Sequence, residues 1–222
     1  MAAASSLPPS PLERRRIDVI WVVGGLLLLL LSGIVVRDGD VDPWEAAIFH
    51  AINGLPDWLT APMQFVELFG VLLIGPAVAI AAVAFRKPRL AVAALLVTVS
   101  KLVLERVVKL FVERQRPMTS TPDAIARGVP VHGLAFVSGH VVLLAALAGV
   151  VTPYLPGRWR LLPWCVVGLV GFARVYLGAH NPLDIVGGVG LGLAIAGTWN
   201  LVLRVPARAS TPPRVPERED AS

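Results

Sequence analysis

The chain has 222 residues, of which 55% are hydrophobic and 16% are charged, and its mean hydropathy is +0.71. A soluble globular domain is usually about a quarter charged, so this composition excludes an ordinary soluble protein and indicates a membrane protein. The net charge of +5 raises the question of a nucleic-acid partner, but the basic residues do not cluster into one binding face. The single cysteine, Cys165, excludes an intramolecular disulfide.

Six apolar segments predict an all-α polytopic membrane protein, a bundle of six transmembrane helices. A bilayer core about 30 Å thick needs roughly 20 apolar residues per helix. The segments are 17–36, 68–85, 90–112, 138–155, 161–177 and 183–203. The first is too long for a signal-peptide core and no A-x-A cleavage site follows, so we interpret it as a retained helix. Residues 1–16 and 205–222 are rich in Pro, Ala, Ser and charge and predict disordered tails around a membrane domain at 17–204.

The distribution of lysine and arginine predicts the orientation. With both termini in the cytoplasm, the cytoplasmic segments carry twelve of these residues and the outer loops carry four. This bias favours cytoplasmic termini in a bacterial plasma membrane. The loops at 37–67, 113–137 and 178–182 then face outward. In the first of them, Trp44, Phe49 and Trp58 predict a helix lying on the membrane surface.

Three short polar stretches are predicted to meet at the outer face. They are KLFVERQRP at 109–117, FVSGH at 136–140 and ARVYLGAHNPLD at 173–184. Taken singly, the cations could be snorkelling helix ends and the serine a helix N-cap. Together they place ionisable groups and two histidines at one membrane depth, where charged groups are costly and usually mark a functional site.

The order K-x6-R-P, S-G-H and R-x5-H-x3-D resembles the three-part signature of the type 2 phosphatidic acid phosphatases, which are related to vanadium haloperoxidases. The matching positions are Lys109, Arg116, Pro117, Ser138, Gly139, His140, Arg174, His180 and Asp184. Two positions depart from the usual pattern, since Val137 replaces a proline and Ala173 replaces a serine. The resemblance implies a six-helix membrane enzyme that acts on lipid phosphates.

The residues themselves suit phosphoryl transfer, whose transition state spreads charge over three oxygens. Arg116 and Arg174 can each donate two hydrogen bonds to those oxygens, and Lys109 adds a point charge. Ser138 and Gly139 are predicted to begin a helix, whose free N–H groups favour an anion. Because three cations are available and no acidic cluster suggests a metal cage, we expect neither a metal nor another cofactor.

The two histidines have different predicted roles. Asp184 lies about one helical turn after His180, so its carboxylate can accept the Nδ1 proton and leave Nε2 free to attack phosphorus. His180 is then the nucleophile, and a phosphohistidine forms. His140 remains to protonate the leaving oxygen and then to deprotonate water. Exchanging the two roles is the alternative, but only His180 has a carboxylate partner at this spacing.

These observations predict a phosphatase for a lipid phosphomonoester or diphosphate at the extracytoplasmic face. Polyprenyl diphosphate, phosphatidic acid and phosphatidylglycerol phosphate all fit. One alternative is a phosphotransferase that passes the phosphoryl group to a hydroxyl other than water. A transporter is a different class, but its proton path favours carboxylates strung through the bilayer rather than gathered at one end.

Two further patterns leave alternatives open. The third segment carries Lys101, Glu105, Lys109 and Glu113 at four-residue intervals, so they are predicted to share one helix face. These charges either orient Lys109 or only make buried charge tolerable. Gly188, Gly192 and Ala196 form a small-residue ladder that packs either within the bundle or between subunits of a homo-oligomer.

Overall fold

The computed structural model describes residues 12–206, and most of the two predicted tails, at 1–11 and 207–222, lies outside the described residues. The described part is mostly helical. Its α-helices are α1 Arg16–Val35, α2 Pro43–Asn53, α3 Thr60–Glu67, α4 Ile74–Ala84, α5 Pro88–Phe111, α6 Pro117–Ser120, α7 Gly139–Val151, α8 Leu162–Tyr176 and α9 Pro182–Leu203. Shorter 3-10 turns connect some of them, at Asp57–Leu59, Leu68–Gly70, Thr152–Tyr154 and Gly157–Leu161. Each of the six predicted segments contains one of the longer helices.

The second predicted segment, 68–85, is not one continuous helix. Residues Asp57–Gly70 and Ile74–Ala84 are two helical stretches that meet at an angle of 61°. Pro76 lies in the first turn of α4, where a proline is tolerated because the N–H it lacks would be unpaired there in any case. A helix continuing from Leu68 through Pro76 would lose an internal hydrogen bond, so the chain bends before this residue.

Two helices of the described chain, α1 and α9, are long and apolar enough to cross a membrane, and the bent pair before α5 would make a third. Helices α7 and α8 have 13 and 15 residues, fewer than the roughly 20 that span a bilayer core. Helix α5 is 24 residues long but carries several charges in its second half. The apolar helices agree with a membrane protein, while length and composition support fewer than six spans.

The core forms around α7, whose residues are nearly all buried and which packs against α5, α8 and α9. Helix α9 lies between α7 and α1 and presents small residues to both. A Cβ added at Gly192 would lie 2.6 Å from the Cβ of Ala145, and one at Gly25 would lie 2.5 Å from the carbonyl oxygen of Gly190. The small-residue ladder of α9 is therefore used within the bundle, against α7.

Both ends of the described chain lie at the same end of the bundle. The strands β1 Leu12–Glu13 and β2 Val205–Pro206 pair antiparallel, so secondary structure is present in the described parts of both predicted tails. This pairing joins the start of α1 to the end of α9. The opposite end carries the start of α9, and the three polar stretches lie there.

The surface position predicted for the first outer loop is wrong for one of its aromatic residues. Phe49 is completely buried, whereas Trp58 is 73% exposed. The reason is that α2 packs on α8 and α9 and directs Phe49 and Glu45 into the protein. Helix α2 therefore covers the end of the bundle where the polar stretches meet.

Candidate active site

The three polar stretches are joined by hydrogen bonds to backbone carbonyl oxygens. The Ala135 N–H donates to the carbonyl oxygen of Arg114 over 2.7 Å, and the Ser138 N–H donates to the carbonyl oxygen of Asp184 over 3.1 Å. Arg116 Nη1 donates to the Ala179 carbonyl oxygen over 3.1 Å. The end of α5, the start of α7 and the turn between α8 and α9 thus form one assembly, as the sequence predicted.

Lys109 lies in the last turn of α5 and is paired within its own helix. Its Nζ is 2.6 Å from Oε1 of Glu105, and Lys101 Nζ is 2.7 Å from Oε2 of the same carboxylate. This carboxylate lies against the start of α7, because a Cβ added at Gly139 would be 2.5 Å from Oε2. Glu105 therefore links both lysines to the first turn of α7, so the charged face of α5 belongs to the site.

The start of α7 has Ser138 at the N-cap position, followed by Gly139 and His140. The Ser138 hydroxyl is buried and makes no capping hydrogen bond. His140 is half-buried, and a Cβ added at Gly70 would lie 2.5 Å from its Cδ2 atom. The bend before α4 therefore packs directly on the His140 ring.

Arg174 and His180 are held by a tight turn after α8. The N–H groups of Ala179 and His180 both donate to the Arg174 carbonyl oxygen, over 3.0 and 3.3 Å. Gly178 has a φ of +77°, and an added Cβ would lie 2.3 Å from the Ile125 carbonyl oxygen. Only glycine fits there, since a side chain would combine left-handed backbone with a clash. Nη1 of Arg174 donates to a carboxylate oxygen of Glu67.

Asp184 lies in the first turn of α9, as predicted, and its two oxygens have different partners. Oδ2 accepts the Asn181 N–H over 2.8 Å and is 3.5 Å from Nδ1 of His180. Oδ1 accepts from Arg114 over 3.2 Å. An N–H···O hydrogen bond usually measures 2.7–3.2 Å between the heavy atoms. His180 and Asp184 are therefore neighbours, as predicted, but the distance between Nδ1 and Oδ2 is longer than a direct hydrogen bond.

The pKa of His180 lies well below its ordinary value. Burial is the largest cause, followed by the positive charges of Arg174 and Arg116. All three causes penalise the imidazolium form. His180 is consequently neutral at pH 7, the protonation state in which an imidazole nitrogen has a lone pair available.

Several buried polar atoms of the site have no hydrogen-bond partner. Among residues 12–206, the buried side-chain nitrogen and oxygen atoms in this state are Arg114 Nε, Arg116 Nε, Ser138 Oγ, Arg174 Nε and His180 Nδ1. We call the last four of these atoms the unpartnered set, and all four belong to residues that the sequence singled out. Buried polar groups are normally paired because an unmade hydrogen bond costs about 1–3 kcal/mol. Their concentration here indicates a surface built for a polar ligand.

Sequence reasoning missed three residues of the site. Arg114 belongs to the predicted outer loop 113–137, yet its side chain is 0% exposed and lies between Glu45 and Asp184. Glu45 and Glu67 come from the segment before α4, which carries no motif. Nothing in the local pattern distinguishes these carboxylates from solvated ones, since their partners are distant in sequence. In residues 12–206, no three His, Cys, Asp or Glu side chains are grouped so that they could hold a metal ion.

Comparison with known protein families assigns the chain to one superfamily. The family model described as the PAP2 superfamily matches residues 90–206, and the chain belongs to this superfamily. The matched region contains all three polar stretches. A search among curated proteins gave no match.

Two solved structures share the fold. One is the crystal structure of a transmembrane PAP2-type phosphatidylglycerolphosphate phosphatase from Bacillus subtilis, with a TM-score of 0.68 and 24% identity over 80% of this chain and 93% of the other. The second is LpxE from Aquifex aeolicus, with a TM-score of 0.62 and 23% identity over 68% of this chain and 93% of the other. The three-part resemblance seen in the sequence is thus confirmed at the level of the family.

Proposed function

We propose that the chain is a metal-independent integral-membrane phosphatase that hydrolyses a lipid phosphomonoester or diphosphate at the extracytoplasmic face. The observation that carries this proposal is the unpartnered set. Its two guanidinium N–H groups and its hydroxyl are donors, and phosphate oxygens are acceptors that suit them. Lys109 adds a third cation beside them. These positive charges can offset the charge of a phosphoryl group without a metal ion.

The proposed reaction has two steps. Nε2 of His180 forms a bond to phosphorus while the bond from phosphorus to the leaving oxygen breaks, and His140 gives its proton to that oxygen. In the second step His140 takes a proton from water, the water oxygen bonds to phosphorus, and the bond from nitrogen to phosphorus breaks. The products are an alcohol or a lipid monophosphate, inorganic phosphate and the starting enzyme.

The position of the site supports a lipid substrate. The polar groups gather at one end of an apolar bundle, where a head group meets the site while its hydrocarbon tail stays in lipid. The solved structures with this fold include a phosphatidylglycerolphosphate phosphatase. Phosphatidylglycerol phosphate, phosphatidic acid and polyprenyl diphosphates are therefore the substrate classes we propose.

Six membrane crossings with cytoplasmic termini are part of the same proposal. The pairing of β1 with β2 puts both ends of the described chain at one end of the bundle, which agrees with an even number of crossings. The bias of lysine and arginine assigns that end to the cytoplasm. Helices α7 and α8 are extended by neighbouring 3-10 turns, which brings each closer to the thickness of a bilayer core.

The test is phosphate release from a panel of lipid phosphates by detergent-purified protein in EDTA. We expect release from at least one lipid phosphate and its loss in His180→Ala. The matched control is His132→Ala, because His132 is an exposed histidine outside the site. The proposal is overturned if no lipid phosphate is hydrolysed, if His180→Ala retains release, or if magnesium is required.

A further inference from the structure

A completely buried arginine connects the outer helix α2 to the first turn of α9. Arg114 Nη1 lies 3.0 Å from Oε1 of Glu45, and its Nη2 lies 2.5 Å from Oε2. The same Nη1 donates to Oδ1 of Asp184 over 3.2 Å. All three side chains are at most 1% exposed. One guanidinium therefore bridges two carboxylates that come from distant parts of the chain.

Glu45 also acts on α9 directly. Its Oε1 accepts the backbone N–H of Leu183 over 2.8 Å, one of the N–H groups that a helix start leaves without an internal partner. Arg114 is fixed in turn by the Asp40 carbonyl oxygen, which accepts from Nη2 over 3.2 Å. The carboxylate of Asp184 thus belongs to a hydrogen-bond network whose other members come from α2, from the loop before α2 and from the loop after α5.

We propose that Arg114 and Glu45 are positioning residues for the reaction, which hold the carboxylate of Asp184 so that one oxygen faces His180. This inference rests on the proposed role of His180 as nucleophile. Neither Arg114 nor Glu45 touches the reacting phosphate in this proposal. Their effect passes through the orientation of Asp184.

The two carboxylate oxygens of Asp184 have different partners, which supports the proposed positioning role of Arg114 and Glu45. Arg114 bonds Oδ1, while Oδ2 accepts the Asn181 N–H and lies 3.5 Å from Nδ1 of His180. With Oδ1 fixed, the carboxylate cannot rotate away, and Oδ2 stays directed at the imidazole. Among residues 12–206, Nδ1 of His180 has no hydrogen-bond partner, so a small closing movement on substrate binding would complete the hydrogen bond to Asp184.

Charge balance gives a second reason for the arginine. Without Arg114, Glu45 and Asp184 would be two buried carboxylates with no cation between them, an arrangement that disfavours ionisation of both. The pKa of Arg114 would be lowered by burial alone, but Glu45 and Asp184 raise it above its ordinary value. Arg114 thus remains charged, and its charge beside Asp184 stabilises the ionised carboxylate, the form that orients a histidine nucleophile.

The experiment compares Arg114→Lys with Arg127→Lys. Lysine keeps the charge but cannot bridge two carboxylates as a planar guanidinium does. Arg127 is a matched control because it is also buried at this end of the protein, bonded to Asp57 and to backbone carbonyls. We expect Arg114→Lys to lower kcat by about tenfold to a hundredfold, the size of effect that a misplacement of about 1 Å produces. KM should change less than twofold, and Arg127→Lys should leave kcat within about twofold of wild type.

A double-mutant comparison separates positioning from a purely structural effect. In an Asp184→Asn background the carboxylate charge that Arg114 holds is absent. Adding Arg114→Lys to Asp184→Asn should therefore lower kcat by less than about twofold relative to Asp184→Asn alone. An equal loss in both backgrounds, or an unchanged kcat in Arg114→Lys, overturns the inference. If Arg114→Lys does not fold, Glu45→Gln carries the same test with the same expected loss. Should His180→Ala remain active, the proposed function fails instead, whatever the arginine variants do.

Discussion

Nη1 of Arg174 donates a hydrogen bond to the carboxylate of Glu67, so an internal anion holds the guanidinium that we propose for phosphate binding. Glu67 comes from the end of α3, next to the bend that packs on His140. Its side chain is 20% exposed, compared with 6% for Arg174. We therefore expect a phosphate group and Glu67 to compete for the positive charge of this guanidinium, and Glu67 is the partner with room to move.

The first prediction is that Glu67→Gln strengthens phosphate binding. The neutral amide competes less well for Arg174, so KM for a lipid phosphate and Kd for inorganic phosphate should both fall several-fold. Asp57→Asn is the control, since it neutralises a carboxylate that pairs with Arg127 away from the site. Isothermal titration with phosphate measures the effect, and weaker binding in Glu67→Gln would show that the carboxylate orients Arg174 rather than competing for it.

The second prediction separates the two histidines by leaving group. General acid catalysis is typically worth about 10²–10⁴-fold and matters most for a basic alkoxide. On p-nitrophenyl phosphate, His140→Ala should therefore still form the phosphohistidine and release a burst of nitrophenolate, while water attack stays slow. His180→Ala should give no burst. Rapid-mixing absorbance measures both, and a burst from His180→Ala alone would exchange the two roles.

The third prediction concerns the contact between Gly70 and His140. A methyl group at Gly70 would lie 2.5 Å from the imidazole, so Gly70→Ala must displace the ring. We expect kcat on a lipid phosphate to fall by about tenfold or more, a part of the full general-acid contribution. Gly168→Ala is the matched control, because no other part of the described chain lies within 4 Å of a Cβ at that position, apart from the surrounding backbone of its own helix. Equal kcat values for the two variants would rule out a role for this packing.

The fourth prediction is a dependence of stability on pH. The pKa of His180 is lower in the folded protein than in the unfolded chain, where histidine has a pKa near 6.5. Below that pH the unfolded chain therefore binds a proton at His180 that the folded protein does not bind. Stability is then lost with decreasing pH, by up to about 1.4 kcal/mol for each pH unit. Between pH 7.5 and pH 5.5, the Tm of His180→Gln should fall less than the Tm of the wild-type protein. Intrinsic fluorescence measures Tm in both proteins. An equal decrease in Tm for the two proteins would contradict the assignment of a neutral buried His180.

The fifth prediction is the orientation in the membrane. Cys165 is exposed, so labelling needs a Cys165→Ser background. In that background Thr119→Cys, on α6 at the site end, should react with a membrane-impermeant maleimide in intact cells. Gly157→Cys, in the turn between α7 and α8, should react only after permeabilisation. The reverse pattern would move the site to the cytoplasmic face.

The local features of this protein are determined by the sequence itself. Apolar runs of about 20 residues identify where the longer helices lie. In lipid the backbone N–H and C=O groups must be hydrogen-bonded within the protein, and a helix achieves this with residues that are near in sequence. The start of α9 is equally local, since Asn181, Pro182 and Asp184 occupy positions that each residue type favours at a helix start. The three polar stretches could be assigned to one end of the bundle because alternating helices return the chain there.

Only the tertiary structure decided which charges pair within the site. Arg114 meets Glu45 across 69 positions of the chain, and Arg174 meets Glu67 across 107. No periodicity or spacing relates residues so far apart. Such pairs are selected by burial, because a charge enclosed among α2, α5 and α9 must find an opposite charge and a segment without a motif can supply it. The same long-range packing buries Phe49, which the sequence predicted at the membrane surface.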